Sequence, residues 1–339
     1  MRITVLTGGA SAERDVALAS ARQVVPALRS LGHAVVVVDT VTGFVPESRE
    51  TEHLLGRVAA TWPSVADLER RERAFLLTAL GILTEVRESD VVFLALHGGR
   101  GEDGTIQTLL ETLGVPYTGS GPLGSGLAMD KDVSKRLFRE AGVPTPDWCM
   151  TPVTGQQAGK TMGWPLVVKP SKQGSTVGLT VVKHPEEFDG ALAFAAEYDD
   201  EVMVEKFVPG RELTVGILDG QALAVGEIIP RHEIFDYECK YTPGMSEEIF
   251  PAELPAVTTQ ECQRLGLLAH QVLKLGSYSR VDFRLTPEGK PYCLEANTLP
   301  GLTATSLLPQ SAQVLGIGFA ELCDRMCRGA RKPAPMEQL

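Results

Sequence analysis

The 339-residue sequence predicts an open α/β sheet in its first third, followed by an α+β unit. Three observations predict it. Short apolar runs alternate with amphipathic helical stretches through about residue 113, a pattern that builds a parallel sheet with helices on both faces. Past a Gly/Pro-rich junction, strand-like runs follow one another through turns and a Gly/Ser loop. Near the C-terminus, two runs flank a Pro/Gly turn and gather acidic side chains on one face.

The first strand is Arg2–Leu6, followed by the turn Gly8 to Glu13 and a helix from about Asp15 to Leu31. Ala34–Asp39 is the second strand. No G-x-G-x-x-G follows the first strand, so a dinucleotide-binding reading is rejected even though Asp39 closes the second. Ser11 and Glu13 stand at the carboxyl end of the first strand, where open α/β sheets bind ligands. An acid in the first turn of a helix is also ordinary helix chemistry. Residues 41–66 carry no usable signal. A helix near Leu68–Leu80 and a strand Asp90–Leu96 follow. His97 then opens a loop with glycines at 98, 99, 101 and 104. His97 reads as a proton shuttle, an orienting donor or a structural loop histidine. A helix Thr105–Leu113 and a short strand Val115–Thr118 complete the unit.

Gly119-Ser120-Gly121-Pro122 marks the domain boundary. Met129-Asp130-Lys131 opens a helix reaching about Ala141, and a Pro-rich connection from Pro144 to Pro152 leads on. The strand Pro165–Pro170 carries Lys169 beside the loop Ser171 to Gly178. Backbone N–H groups of such a loop can cover phosphates. It is neither the G-x-x-x-x-G-K-[ST] loop nor the G-x-G-x-x-G loop of kinases. Strands follow at Leu179–Val182, Glu201–Phe207, Arg211–Leu218 and Gln221–Pro230. Residues 231–256 form a long segment with Phe235, Tyr237, Lys240 and Tyr241, and long loops in compact domains are usually functional or disordered. A helix from about Val257 to Leu275 precedes the hairpin.

In that hairpin, a four-residue loop 287–290 makes paired numbers sum to 577. Val281 then faces Ala296, Phe283 faces Leu294 and Leu285 faces Tyr292, an apolar side. The other side sets Arg280 opposite Asn297 and Asp282 opposite Glu295. Two carboxylates this close repel unless a cation lies between them, and oxygen-only donors suit a hard cation such as Mg²⁺. The alternative is a solvated face carrying ordinary surface charge.

Composition narrows the partners. The chain is 43% hydrophobic and 22% charged with a net charge of −11, which disfavours nucleic acid and anionic membranes. Six cysteines lack Cys-x-x-Cys spacing and fit a reducing cytoplasm. No apolar run reaches membrane-spanning length, no signal peptide is read, and residues 331–339 read as a loose tail.

Taken together, GGASAERD (8–15), ALHGGRGEDGTIQ (95–107), YTGSG (117–121), MDK (129–131), VVKPSKQGSTVG (167–178), VEKFVPGRELTVG (204–216), FDYECKY (235–241), RVDF (280–283) and LEANTLPGLTATS (294–306) resemble the D-alanine–D-alanine ligases of the ATP-grasp superfamily. The pieces occur in the family's order and cover most of the chain. The resemblance implies a Rossmann-like N-terminal α/β domain (1–121), a central ATP-grasp lobe (122–207) and a C-terminal lobe (208–330) carrying the hairpin and a lid. It implies that Lys131, Lys169, Glu205, Lys206, Val208, Glu212 and Lys240 hold ATP. Asp282, Glu295 and Asn297 would hold two Mg²⁺ ions, with Mn²⁺ as a possible substitute. Glu13 would take the ammonium of the first D-alanine, while Ser175 and Tyr241 close the Gly-rich loop onto the lid. Lys240 and Ser306 would face the second carboxylate. Arg280 and the Gly301 N–H would stabilise the tetrahedral oxyanion, and His97 completes the catalytic set. The implied reaction joins two D-alanines through a D-alanyl phosphate for peptidoglycan synthesis, in a cytoplasmic homodimer acting on small molecules.

Thr305 departs from members with histidine there, which bears on the second-carboxylate contact. A sister ligase making D-Ala–D-lactate, D-Ala–D-Ser or an L-dipeptide would share these motifs and differ around Tyr241 and Ser306. A different ATP-grasp ligase would lack the SAER and HGxxGEDG pieces. A nucleotide-binding module without catalysis would not need Arg280, Asp282, Glu295 and Asn297.

Overall fold

The computed structural model describes residues 1–55, 58, 61–242 and 244–333. The first sheet contains β1 (Arg2–Thr7), β2 (Ala34–Asp39), β3 (Gly43–Val45) and β4 (Val91–Leu94) in the order β3-β2-β1-β4. β1 runs parallel to β2 and β4, and β3 folds back antiparallel at the edge. The helix Arg14–Ser30 buries Val16, Val24, Val25 and Leu28, the apolar face read from its spacing. β3 and the helix Glu47–His53 lie in the stretch without a sequence signal. Both are short, and Phe44 of β3 is exposed, so no alternation betrays them.

Three local expectations need correction. The helix near 68–80 is two helices, Val65–Arg73 and Leu77–Leu80. Leu76 N–H leaves the helix to donate to Thr40 C=O at 2.8 Å, which breaks the run. Residues 115–118 do not form a full strand. Tyr117 makes single bridges, parallel to Val92 and antiparallel to Arg331. Pro116 supplies no N–H, so the ladder cannot extend through it. Arg331 is consequently no part of a loose tail: its N–H and C=O both bond Tyr117, and its guanidinium pairs with Glu111. Residues 334–339 of the expected tail lie outside the described residues.

The central sheet holds β5 (Trp148–Met150), β6 (Leu166–Pro170), β7 (Thr180–Val182) and β8 (Val202–Lys206), ordered β5-β8-β6-β7 and antiparallel throughout. The third sheet holds β9 (Arg211–Leu218), β10 (Gln221–Pro230), β11 (Ser246–Ile249), β12 (Tyr278–Leu285) and β13 (Pro291–Asn297), ordered β11-β10-β9-β12-β13.

Cores cross the boundaries suggested by chain order. The helices Pro122–Met129 and Lys131–Glu140 contribute Ala128 and Phe138 to the core beneath the third sheet, with Val215, Val281 and Phe283. Near the C-terminus, Leu308, Leu322 and Met326 join the core of the first sheet with Ile3, Val37 and Phe93.

The hairpin keeps its expected register where the acids stand. Arg280 faces Asn297, Val281 faces Ala296 and Asp282 faces Glu295. It departs beyond them: Phe283 pairs with Cys293, Arg284 with Tyr292 and Leu285 with Pro291. The expected Phe283–Leu294 and Leu285–Tyr292 pairs are therefore absent. A bulge after Asp282 adds one residue on β13, and such a residue turns a side chain out of the alternation. Cys293 takes the buried position, and Leu294 lines the neighbouring cavity instead.

Candidate active site

A cleft lies between the central and third sheets. Lys131, Lys169, Glu205, Lys206, Val208, Glu212 and Lys240 all line it, with Val167, Ile228, Phe283 and Leu294 as apolar walls. Apolar walls with a few fixed polar groups suit a flat heteroaromatic ring carrying a charged tail. The side chains are strongly organised. Glu205 is buried, with Lys169 Nζ donating to it at 2.9 Å and Lys135 Nζ donating at 2.6 Å. Burial raises the Glu205 pKa, but the two lysines outweigh that and hold it below the usual carboxylate range. Burial lowers Lys135 to about 8, against the pull of Glu205. At the far end Glu212 accepts from Arg284 Nη1 at 2.7 Å and from Phe235 N–H at 3.1 Å. Burial raises the Glu212 pKa, and Arg284 partly offsets this. Arg284 Nε also donates to Val208 C=O at 2.9 Å, tying the strand entry to the hairpin.

Asp282 gathers the hairpin's polar face. It accepts from Arg280 Nε at 2.9 Å and Nη2 at 2.7 Å, from Thr214 Oγ1 at 2.7 Å and from Asn297 Nδ2 at 3.0 Å. Glu295 lies 3.2 Å from Lys131 Nζ. Burial would raise the Glu295 pKa, but Lys131, Lys240, Lys169 and Arg280 bring it down to about 2. Two carboxylates and one amide oxygen, the first pair ringed by cationic side chains, make a hard donor set that fits Mg²⁺.

This cleft opens into a second, larger cavity, and Lys131, Ser175, Lys240, Arg280 and Glu295 line both. Glu13 reaches it from the end of the first sheet, Ser175 from the Gly/Ser loop and Tyr241 from the segment after β10. Ser175 Oγ donates to Glu13 Oε1 and lies 2.8 Å from the Tyr241 hydroxyl, which approaches the same Glu13 oxygen at 3.3 Å. Ser175 and Thr176 hold φ values of 50° and 59°, and such strained loop conformations cluster at functional sites. A Cβ on Gly98 or Gly174 would come within 2.8 Å or 2.7 Å of Glu13 Oε2, so glycine at both positions lets the loops close on that carboxylate. Burial and the nearby Glu13 charge push the Tyr241 phenol well above its ordinary pKa, so it stays protonated and can donate.

Gly301 and Ser306 line this cavity together, and a Cβ on Gly301 would stand 3.0 Å from Ser306 Oγ. His97 lines it as well, but both ring nitrogens are engaged. Nδ1 must donate to Leu299 C=O at 2.7 Å, so in the neutral ring Nε2 accepts from Ser20 Oγ at 3.0 Å. The Ser20 hydroxyl oxygen in turn accepts from Leu302 N–H at 3.2 Å. The geometry of His97 is thus that of an orienting donor on the loop 298–302.

Sequence reasoning passed over several contributors. Glu102 sits inside the quoted GEDG motif, and its carboxylate accepts from Thr298 N–H at 3.0 Å, Leu299 N–H at 2.9 Å and Gly98 N–H at 3.0 Å. It thereby fixes the loop after the hairpin. Lys135 stands one helical turn beyond Lys131, and that i, i+4 spacing on one face was the available signal. Glu248 and Gln310 lie in segments with no motif at all. Asp39 is explained by structure alone: it is fully buried and held by Arg14 at 3.1 and 2.6 Å and by His53 at 2.7 Å.

A family model described as the D-ala D-ala ligase N-terminus matches residues 2–120, and one described as the D-ala D-ala ligase C-terminus matches residues 137–328. A D-alanine–D-alanine ligase of Synechococcus sp. is 41% identical over 343 residues, covering 99% of this chain and 95% of the relative. One from Geobacter sulfurreducens is 43% identical over 333 residues, covering 96% and 92%. Among solved structures, the Bacillus anthracis ligase complexed with ATP superposes with a TM-score of 0.73 at 32% identity, covering 97% of this chain and 96% of that one. The Coxiella burnetii ligase gives 0.78 at 27% identity, covering 96% and 92%. Those structural neighbours carry the ATP-grasp arrangement expected for the second and third sheets, and with two family models spanning most of its length the chain belongs to the D-alanine–D-alanine ligase family.

Proposed function

We propose that this protein joins two D-alanines at the expense of ATP, forming D-alanyl-D-alanine through a D-alanyl phosphate. The observation that carries this reading is the continuity of the two cavities. A cleft lined by lysines and apolar walls and a compartment bordered by Glu13, Ser175 and Tyr241 meet at Arg280 and Glu295. Chemistry demands such a layout. A carboxylate cannot lose oxide to an amine, so ATP must first convert it to an acyl phosphate, and the second substrate must then reach the same carbon.

Each residue has a part. Lys131 and Lys169 hold the phosphates, and Glu205, Lys206, Val208 and Glu212 hold the base and sugar. Lys240, lining both cavities, reaches either the nucleotide or the second carboxylate. Glu13 holds the first substrate's ammonium and Ser306 the second substrate's carboxylate. Arg280 and the Gly301 N–H take the oxyanion of the tetrahedral intermediate, as preorganised donors do. His97 and Glu102 orient the loop that carries Gly301. Asp282, Glu295 and Asn297 would hold two Mg²⁺ ions, or Mn²⁺ in their place, which when bound neutralise the transferring phosphoryl group. The nucleotide would lie between the central sheet and the third sheet, whose residues line the cleft together. We place the enzyme in the cytoplasm: its cysteines are free, and no helix among the described residues is long and apolar enough to cross a membrane. A homodimer rests on the family resemblance alone and is checked by light scattering.

The test is product identification by mass after incubation with ATP, Mg²⁺ and a panel of D- and L-amino acids and D-lactate. D-Alanyl-D-alanine with one ADP per dipeptide is expected. A depsipeptide or an L-dipeptide as the main product would overturn the substrate assignment while leaving the ligase chemistry standing.

A further inference from the structure

The roles above leave one problem and one residue unused. A D-alanine arriving as the second substrate carries an ammonium, which cannot attack until it loses a proton. Glu13 is committed to Ser175 and Tyr241 and enclosed by Gly98 and Gly174. Glu248, on the edge strand β11, lines the same cavity as Lys240, Arg280, Gly301 and Ser306. Among the described residues its side-chain hydrogen-bond partner is Gln310, whose Nε2 donates to Glu248 Oε2 and also to Thr305 C=O at 2.7 Å. One amide thus ties Glu248 to the segment bearing Ser306, where the second carboxylate is placed. The groups around it are few. Arg280 faces it from β12 and the neutral Gln310 from the helix Leu307–Val314. The segment after β10 contributes Lys240 and Tyr241, and the paired residue on β10 is Ile228. Burial raises the Glu248 pKa, and Gln310 and Arg280 pull part of it back. A carboxylate of raised pKa is a stronger base for a bound ammonium.

The geometry points to Glu248 as the group that takes the ammonium proton of the second substrate. This deepens the ligase reading and rests on it. The proton passes from nitrogen to a Glu248 oxygen, and the freed lone pair forms the C–N bond to the carbonyl carbon of D-alanyl phosphate. The tetrahedral intermediate then breaks the bond between its carbon and the bridging oxygen, which leaves on phosphorus as inorganic phosphate. The nitrogen's second surplus proton leaves with the phosphate or to water. The carboxylate also favours an amine over a hydroxyl nucleophile, since only the former carries a positive charge into the cavity.

The experiment compares Glu248→Gln with the wild type in two assays on the same samples. Hydroxylamine, largely neutral at pH 7, traps D-alanyl phosphate as the hydroxamate and needs no base. Dipeptide formation needs one. Glu248→Gln is expected to keep hydroxamate formation within about twofold and to lose about 100-fold in dipeptide synthesis at pH 7, in the range for a general base. The dipeptide deficit should shrink by up to about tenfold per pH unit toward pH 9, as solution deprotonates the amine. Glu248→Asp should recover part of the rate. Equal loss in both assays would assign Glu248 a structural role and overturn the inference. Wild-type dipeptide rates in Glu248→Gln at pH 7, or a deficit that ignores pH, would overturn it too. Failure of the wild type to make either product would instead sink the ligase reading.

Discussion

Lys135 has no solvent exposure, and its ammonium donates to Glu205 and to Thr145 Oγ1, both at 2.6 Å. Lys169 holds the other Glu205 oxygen. A buried carboxylate with two cations tolerates one of them turning toward a phosphate, because the second still compensates it. With one cation it does not. Lys135→Met leaves Lys169 on Glu205, so it should lower stability by only about 1 kcal/mol in urea unfolding, the scale of a lost hydrogen bond. In the folded enzyme it should raise the KM for ATP more than it lowers kcat, because Lys169 is then retained by Glu205. An unchanged KM would remove Lys135 from the nucleotide site. Arg280 calls for the opposite pattern. Its guanidinium grips Asp282 through two nitrogens, so it is held in place before charge develops on the substrate. Arg280→Ala should lower kcat by roughly 100- to 1,000-fold, the usual cost of one oxyanion donor. Arg280→Lys keeps the charge, loses the fork and should recover little. A change confined to KM would mean lost uniform binding and contradict this role.

The hairpin shows what alternation can and cannot reveal. Period-two burial put Arg280, Asp282, Glu295 and Asn297 on one face, and the structure keeps those pairs because a one-residue slip there would bury charge. The bulge that follows was not legible, because Cys293 and Leu294 are both acceptable inside and only the sheet's curvature chooses between them. The same limit hid β3 and the broken helix at Ala74–Leu76, where long-range bonds decide the path. The helix Ala256–Val272 supports the hairpin through a buried contact: His270 Nδ1 lies 2.8 Å from Ser279 Oγ, next to Arg280. Burial depresses the His270 pKa from its ordinary 6.5 to about 4. Between those values the unfolded chain binds the proton and the folded chain does not. Stability therefore falls as pH drops from about 6.5 to about 4, by roughly 3 kcal/mol from this group. His270→Gln should flatten that part of the acid slope in urea unfolding. An unaltered slope would show that His270 protonates without unfolding.

At the scale of the molecule, three sheets send one element each to a single point. Glu13 comes from the turn after β1 at the carboxyl end of the first sheet, Ser175 from a central-sheet loop and Tyr241 from the segment joining β10 to β11. The family resemblance already joined Ser175 to Tyr241, but that Glu13 meets both depends on how the sheets pack, and so do the positions of Glu102, Glu248 and Lys135. The junction is also sealed by apolar contact. Ala12, Val177 and Tyr237 form a small core with Trp62, Leu68, Tyr198 and Tyr241. Tyr237 and Tyr241 stack edge to face at 4.7 Å, an arrangement that adds to simple burial. Such a closure matters because an acyl phosphate exposed to water hydrolyses, and a sealed compartment commits it to the amine. Tyr241→Phe removes the hydroxyl between Ser175 and Glu13 yet keeps the ring in its core. Ser175→Ala removes the other partner and keeps the loop. Each variant should release more than one ADP per dipeptide, because D-alanyl phosphate leaks to water. The double variant should be scarcely worse than either single, since the three side chains act as one latch. Measuring ADP and dipeptide in the same reaction checks this. A ratio that stays at one while the rate falls would mean that the latch positions substrate without excluding water.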